Sequence, residues 1–157
     1  MPVFGYSAEA LNLDKDRIAK ASGRDLRVSP KMCREVCNAI KGMRIEQAKK
    51  FLEEVILLKQ AVPFKRHKKK QAHRNNLKRW KWYAGRYPIK AASMIYDIIT
   101  SVESNAEFRG LDVELCRIVH AATHRARKIK RYIERAHGRS TPRFKNLSHI
   151  EIIVFEE

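Results

Sequence analysis

Two pairs of residues have spacings at which chemistry is done. Cys33 and Cys37 stand four apart, and so do His120 and His124. Thiols or imidazoles at that spacing can share a metal, and paired histidines can act as general acid and base on RNA. The cysteines fall on the apolar stripe of a helical pattern. No second pair follows them and Cys116 stands alone, so all three read as core residues rather than zinc ligands. The histidines lie in a β-branched stretch that lacks the glutamate of an HExxH motif. On a strand both point to one face. Three roles stay open there, in this order: polar groups on a sheet surface, phosphate contacts near the root of an arm, or the acid–base residues of a ribonuclease. A nuclease also needs a second acid–base partner or carboxylates gathered round a metal, and the acids here are scattered. Gly-rich phosphate loops and nucleophile elbows are missing. A binding module is expected rather than an enzyme, with no cofactor and no metal.

The stronger chemistry is cationic. Residues 64–87 carry Lys65, Arg66, Lys68, Lys69, Lys70, Arg74, Lys78, Arg79, Lys81 and Arg86, and no acid. Residues 125–145 carry Arg125, Arg127, Lys128, Lys130, Arg131, Arg135, Arg139, Arg143 and Lys145, against one acid, Glu134. The whole chain of 157 residues has 34 Lys+Arg and 17 Asp+Glu, a formal charge of +17. Outside the two segments it is electrically balanced. Cations this dense repel one another within a screening length of about 8 Å. A polyanion relieves that repulsion and releases its own counterions. Both segments are internal and flanked by patterned sequence, unlike solvated tails. Both also mix rings among the cations: Phe64, Trp80, Trp82, Tyr83 and Tyr87 in one, Tyr132 and Phe144 in the other. Rings stack on unpaired bases, which suits RNA of irregular shape. Trp80, Trp82 and Tyr83 serve equally well as packing against the domain. The cations of both segments, with Trp80, Trp82, His124 and His137, are the expected RNA contacts.

A membrane is a poorer partner, because neither segment makes a clean apolar helical face and no apolar run reaches the roughly 18 residues of a membrane span. The N-terminus MPVFGYSAEALNLDKD does not read as a secretory signal. An odd number of cysteines suits a reducing compartment.

These segments need elements to position them. Ser29-Pro30 opens a helix over about 30–41 with a serine cap, and Gly42 closes it. A second helix spans about 44–58, with Lys49–Glu53 and Lys50–Glu54 as i,i+4 pairs on its wet face. A third runs from Tyr87-Pro88 to about 108, with Ile89, Ala92, Ile95, Ile99, Val102 and Ala106 on its stripe. Leu26 and Val28 read as a short strand, 113–124 as a second and IEIIVF (150–155) as the clearest. The last two pair most simply as an antiparallel hairpin. If 125–145 continue it, each side gains roughly ten residues, or roughly 30 Å. The arm has few apolar residues to hold it down, as has the insert, so both are expected to be mobile when no partner is bound. The domain expectation is a single unit, 1–157, with a basic insert at 60–87 and an arm at 124–145.

Six stretches in order resemble one family: GRDLRVSPK (23–31), IKGMRIEQAKKFLEEV (40–55), VPFKRH (62–67), WYAGRYPIKAA (82–92), ESNAEFRGLDVELCRIVHAATHRARKIKRY (103–132) and AHGRSTPRF (136–144). They are similar to the large-ribosomal-subunit protein numbered twenty-two in bacteria and seventeen in the eukaryotic cytosol. The long 60–87 segment and the wording YAGRYP resemble the archaeal branch. Residues 1–22 match no family pattern, and the wording of 65–81 varies within the family. The resemblance implies an α+β fold, three helices on a three-stranded antiparallel sheet with a long β-hairpin. It implies a cytoplasmic, non-enzymatic ribosomal constituent that binds large-subunit ribosomal RNA, touches neighbouring large-subunit proteins and transiently meets the nascent polypeptide, with no DNA partner. It places a tunnel-lining tip near Lys128, Lys130, Arg131, Tyr132 and Arg135. From the residues alone, an RNA-processing enzyme using His120 and His124 and a non-ribosomal nucleic-acid chaperone stay open as alternatives.

Overall fold

The computed structural model describes residues 5–7 and 14–157. In chain order the elements are β1 (Ile18–Leu26), α1 (Pro30–Ile40), α2 (Ile45–Ile56), β2 (Val62–Pro63), β3 (Gly85–Arg86), α3 (Ile89–Phe108), β4 (Cys116–Ile129), β5 (Tyr132–Glu134), β6 (Ser140–Pro142) and β7 (Lys145–Glu156). The fold is α+β, with every ladder antiparallel. The main sheet has the order β1-β7-β4; β5-β6 is a separate two-stranded ladder in the expected hairpin arm, and β2-β3 is a further one that the expectation lacked.

β7 is central because its sequence can be buried on both faces. Ile150, Ile152 and Val154 are fully buried among the residues of the helical core, while Glu151 and Ile153 are buried on the opposite face. α1 follows the 3.6-residue period, with Cys33, Val36, Cys37 and Ile40 inward. Burial pushes the Cys33 thiol up to about 12 and Cys37 to about 11, so both stay protonated core residues. Gly42 ends α1 with φ +86°, a conformation that costs a side chain dearly.

Several expectations need correction. The first strand is Ile18–Leu26, not a short piece around Leu26 and Val28. It is an edge strand whose inward residues are Ala19 and Ala21, so it lacks the usual β-branched signature. Val28 instead closes a tight turn, its N–H donating to the Leu26 carbonyl at 2.8 Å. Gly23 lets α3 approach, since a Cβ there would lie 2.8 Å from Ile98 Cδ1. Ser29 occupies the cap position of α1 without a side-chain cap bond; its Pro30 alone presets the first turn. Pro88 caps α3 from outside, and Ile89 is exposed rather than on the stripe, which instead includes Ala91 and Ile98. Lys49 does not pair along its own helix. It forms an ion pair with Glu103 of α3, and Tyr96 Oη donates to Glu53 at 3.0 Å, so the wet face of α2 ties the two helices together. β4, expected from residue 113, starts at Cys116 because Asp112 turns the chain first, accepting the Glu114 N–H on its side chain at 3.0 Å.

Candidate nucleic-acid interface

The arm grows directly out of the sheet. β4 and β7 stay paired past the body, through Arg125↔Ser148, Lys128↔Asn146 and Ile129↔Lys145, with a bulge between Arg125 and Lys128. The ladder lapses, and Arg143 donates its N–H to the Arg131 carbonyl at 2.6 Å across the gap. It resumes as Tyr132↔Pro142, Ile133↔Thr141 and Glu134↔Ser140. The chain reverses at 135–139, where Arg135 N–H donates to the Arg139 carbonyl at 2.9 Å. His137 and Gly138 there have φ of +57° and +64°. The apex is therefore Arg135–Arg139: of the expected tip residues Arg135 lies there, while Lys128, Lys130, Arg131 and Tyr132 lie nearer the root. The left-handed pair at 137–138 supplies the reversal, and Lys128 sits at the root. From Lys128 to His137 the arm extends roughly 30 Å.

Tyr132 and Phe144 hold the arm's two sides together by an edge-to-face contact at 6.0 Å, and both remain solvent-exposed. Lys128, Lys130, Arg131, Arg135, His137, Arg139, Arg143 and Lys145 are exposed and make no ion pair with a described residue. Arg127 differs, lying 3.0 Å from Asp25 of β1.

The insert is an arch strapped to the helical core. β2 pairs with β3 at its base, and above it Arg74 N–H donates to the Tyr83 carbonyl at 2.9 Å. Leu77, in a 3-10 turn over Asn75–Trp80, is fully buried, as is Ala84. Phe64 is 2 % exposed, so it is a core residue and offers no ring to RNA. Buried Glu35 on α1 accepts the backbone N–H groups of Lys65, Arg66 and His67 at 3.0, 3.0 and 2.7 Å. The expectation that too few groups hold the insert down is thus corrected: apolar residues and a carboxylate both do so.

The aromatics divide between roles. Trp80 is half-buried against Phe51, ring centroids 5.9 Å apart, so one face of it packs the domain. Trp82 donates its Nε1–H to the Phe64 carbonyl at 3.0 Å and stacks on Tyr83 at 5.1 Å. Lys68 lies over this stack, 4.5 Å from the Tyr83 centroid, and Arg74 lies over Tyr87 at 5.3 Å. Lys65, Arg66, Lys69, Lys70, Lys78, Arg79, Lys81 and Arg86 all point to solvent.

Insert and arm meet at the arm's root, where two grooves flank the β4–β7 ladder. One, of about 580 Å³, is lined by Ser29, Lys31 and Arg34 of the α1 turn, Arg66 and His67 of the insert, and Arg125, Lys128 and Asn146 of the arm. The other, of about 460 Å³, takes Arg27, Lys90, Arg131 and Lys145. Sequence reading missed Arg27, Lys31, Arg34 and Lys90, because each is an ordinary cation within the balanced body.

His120 and His124 do share a face, as the strand reading required. Ala122 between them pairs with Glu151, so both imidazoles close over that carboxylate, at 2.9 and 3.1 Å. Ser7 Oγ and its backbone N–H also donate to it. Burial alone would raise the Glu151 pKa; the hydrogen bonds from Ser7 and the two histidines outweigh it and hold the value at about 2. This is a polar cluster on the sheet surface, the first of the three roles open to these histidines. Among the described residues no three His, Cys, Asp or Glu side chains are arranged to hold a metal.

Residues 21–155, both basic segments included, match the family model described as Ribosomal protein L22p/L17e. The chain belongs to this family. Relatives named "Large ribosomal subunit protein uL22" support it along nearly the whole length. That of Archaeoglobus fulgidus is 51% identical over 151 residues, 96% of this chain and 94% of the relative. That of Staphylothermus marinus is 46% identical over 157 residues, 99% of each chain. That of Methanocaldococcus jannaschii is 42% identical over 156 residues, again 99% of each. These archaeal relatives agree with the archaeal wording of YAGRYP.

Proposed function

We propose that this protein is a structural constituent of the large ribosomal subunit, a non-enzymatic cytoplasmic component whose ligand is large-subunit ribosomal RNA. The carrying observation is the arm: a hairpin whose cations reach solvent along its length with almost no acid beside them. Such an arm is under repulsive strain alone and is relieved when phosphates surround it. Its exposed cations contact backbone phosphates from several RNA segments, and RNA shape rather than sequence sets the specificity. The insert offers a second face, where Trp82, Tyr83 and the outer face of Trp80 stand among Lys68, Lys78, Arg79 and Lys81. Buried in RNA, the arm links distant segments and so supports assembly. Its apex at Arg135–Arg139 lines the polypeptide exit tunnel, where the nascent chain passes, and the body adjoins neighbouring large-subunit proteins.

The test is the salt dependence of binding to large-subunit RNA. About fifteen phosphate contacts give a log–log slope of order −10, at about 0.7–0.9 per contact. A slope near zero overturns the reading. Competition by duplex DNA separates it from a general nucleic-acid chaperone, which binds both alike. The ribonuclease alternative is disfavoured by Glu151, which occupies both histidines at once.

A further inference from the structure

The larger groove at the arm's root has a composition that neither basic segment explains by itself. We infer that it is a binding site for the sugar-phosphate backbone of an RNA strand, with Lys31 and Arg34 of α1 as contacts. The inference rests on the RNA-binding reading above and adds a site outside the two basic segments.

Six cationic or titratable side chains from three parts of the chain converge there: Lys31 and Arg34, Arg66 and His67, Arg125 and Lys128. None of the lysines and arginines is in an ion pair with a described residue, and no acid lines the groove. Five fixed cations around about 580 Å³ repel one another, so an anion entering the groove removes a standing cost. The volume lies within the range of small-ligand pockets, about 300–1,000 Å³. The lining tells phosphate from base. Apart from His67 it has no aromatic ring, so stacking is not its means of recognition, and the neutral groups beside the cations (Ser29, Thr123, Asn146) suit phosphate and sugar oxygens.

The groove is also preset. Arg34 and Glu35 are consecutive on α1, one turned to the groove and the other buried. Glu35 fixes the backbone of residues 65–67, and with it the place where Arg66 and His67 enter. On the far wall the bulge between Arg125 and Lys128 interrupts the ladder where both line the groove. A strand lying here would be held against both the insert and the arm.

The experiment uses the full-length protein and transcribed large-subunit RNA. Lys31→Ala with Arg34→Ala removes two contacts from exposed helix positions, where alanine is well tolerated. The control is Lys41→Ala with Lys59→Ala, two exposed cations outside the groove. The groove variant should flatten the salt slope by about 1.4–1.8, and the control should not. In the unsubstituted protein, RNA should protect Lys31 from acetylation more than Lys41. That second readout holds even if the variant folds poorly. A steep wild-type slope with an unchanged groove variant and an unprotected Lys31 overturns the site while leaving RNA binding intact. A flat wild-type slope overturns both. Protection of Lys31 by an acidic peptide but not by RNA assigns the groove to a protein partner and also overturns the proposal.

Discussion

Glu35 Oε1 accepts the backbone N–H of His67 at 2.7 Å, joining the core helix to the insert across 32 positions of sequence. The same carboxylate takes the two preceding amides, so one buried acid ends three backbone donors where a basic segment begins. A carboxylate facing consecutive N–H groups does in the free protein what an anion does in a backbone nest.

Removing that acid should loosen the insert before it unfolds the domain. Glu35→Ala leaves three amides short of an acceptor, each worth about 1–3 kcal/mol if it stays buried. The arch can instead swing out to water, which lowers the loss. Hydrogen exchange at 65–67 should rise by orders of magnitude, and trypsin should cut first within 65–81, with the α3 amides still protected. Uniform loss of protection across helices and insert would count against a local clamp.

Glu151 gives the protein a specific acid sensitivity. Its folded value of about 2 lies below the ordinary 4.5, so folding favours the carboxylate. The stability this contributes is complete above about pH 4.5 and is lost as pH falls toward 2. Glu151→Gln should therefore lower Tm at pH 6–7, and the gap from wild type should close as pH drops through that window. Thermal melts of both proteins from pH 7 to 2 supply the curves. Parallel curves at every pH would exclude this role.

How much of this was legible in the sequence depended on period and charge. The stripes of α1, α2 and α3 could be read because each buries one face, and IEIIVF because isoleucine and valine suit a strand covered on both sides. β1 hid because its inward residues are alanines under a helix. Glu35 and Glu151 carried a faint signal, an acid set among buried apolar neighbours, which is costly without partners. The partners lie at least 27 positions away, apart from nothing local that composition could show. The charge excess located both basic segments. The grooves at the arm's root escaped, since they arise where α1, insert and arm come together and a linear count of charge has no term for that.

Gly85 should tolerate no side chain. A Cβ built there lies 2.6 Å from Leu77 Cδ1 and 2.9 Å from the Val62 carbonyl oxygen. Leu77 can rotate, but the carbonyl belongs to the β2–β3 ladder at the base of the arch. Gly85→Ala should cost about 1–3 kcal/mol by overpacking, which for a domain of this size lowers Tm by about 2–4 °C per kcal/mol. With Leu77→Ala added, the two losses should sum to less than their separate values, since the new methyl group takes part of the space the buried leucine leaves, and additive losses would show that Leu77 has no part in the clash.

The arm should be separable from the fold. Ile129 and Lys145 are paired, so a two-residue Asn-Gly turn can replace 130–144 without breaking the ladder beneath. The residues removed are exposed or half-buried and contribute little to the core, whose members lie in the body. Melting of the shortened protein should stay within a few degrees of wild type, since Ser148 still donates to the Val28 carbonyl at 2.7 Å below the cut. Binding should suffer much more. Lys130, Arg131, Arg135, Arg139 and Arg143 go with the segment, which flattens the salt slope by about 3.5–4.5 if all five meet phosphates. A shortened protein that binds large-subunit RNA with the full slope would show the arm's charge to be idle, and the contacts would then have to come from the insert and the root grooves alone.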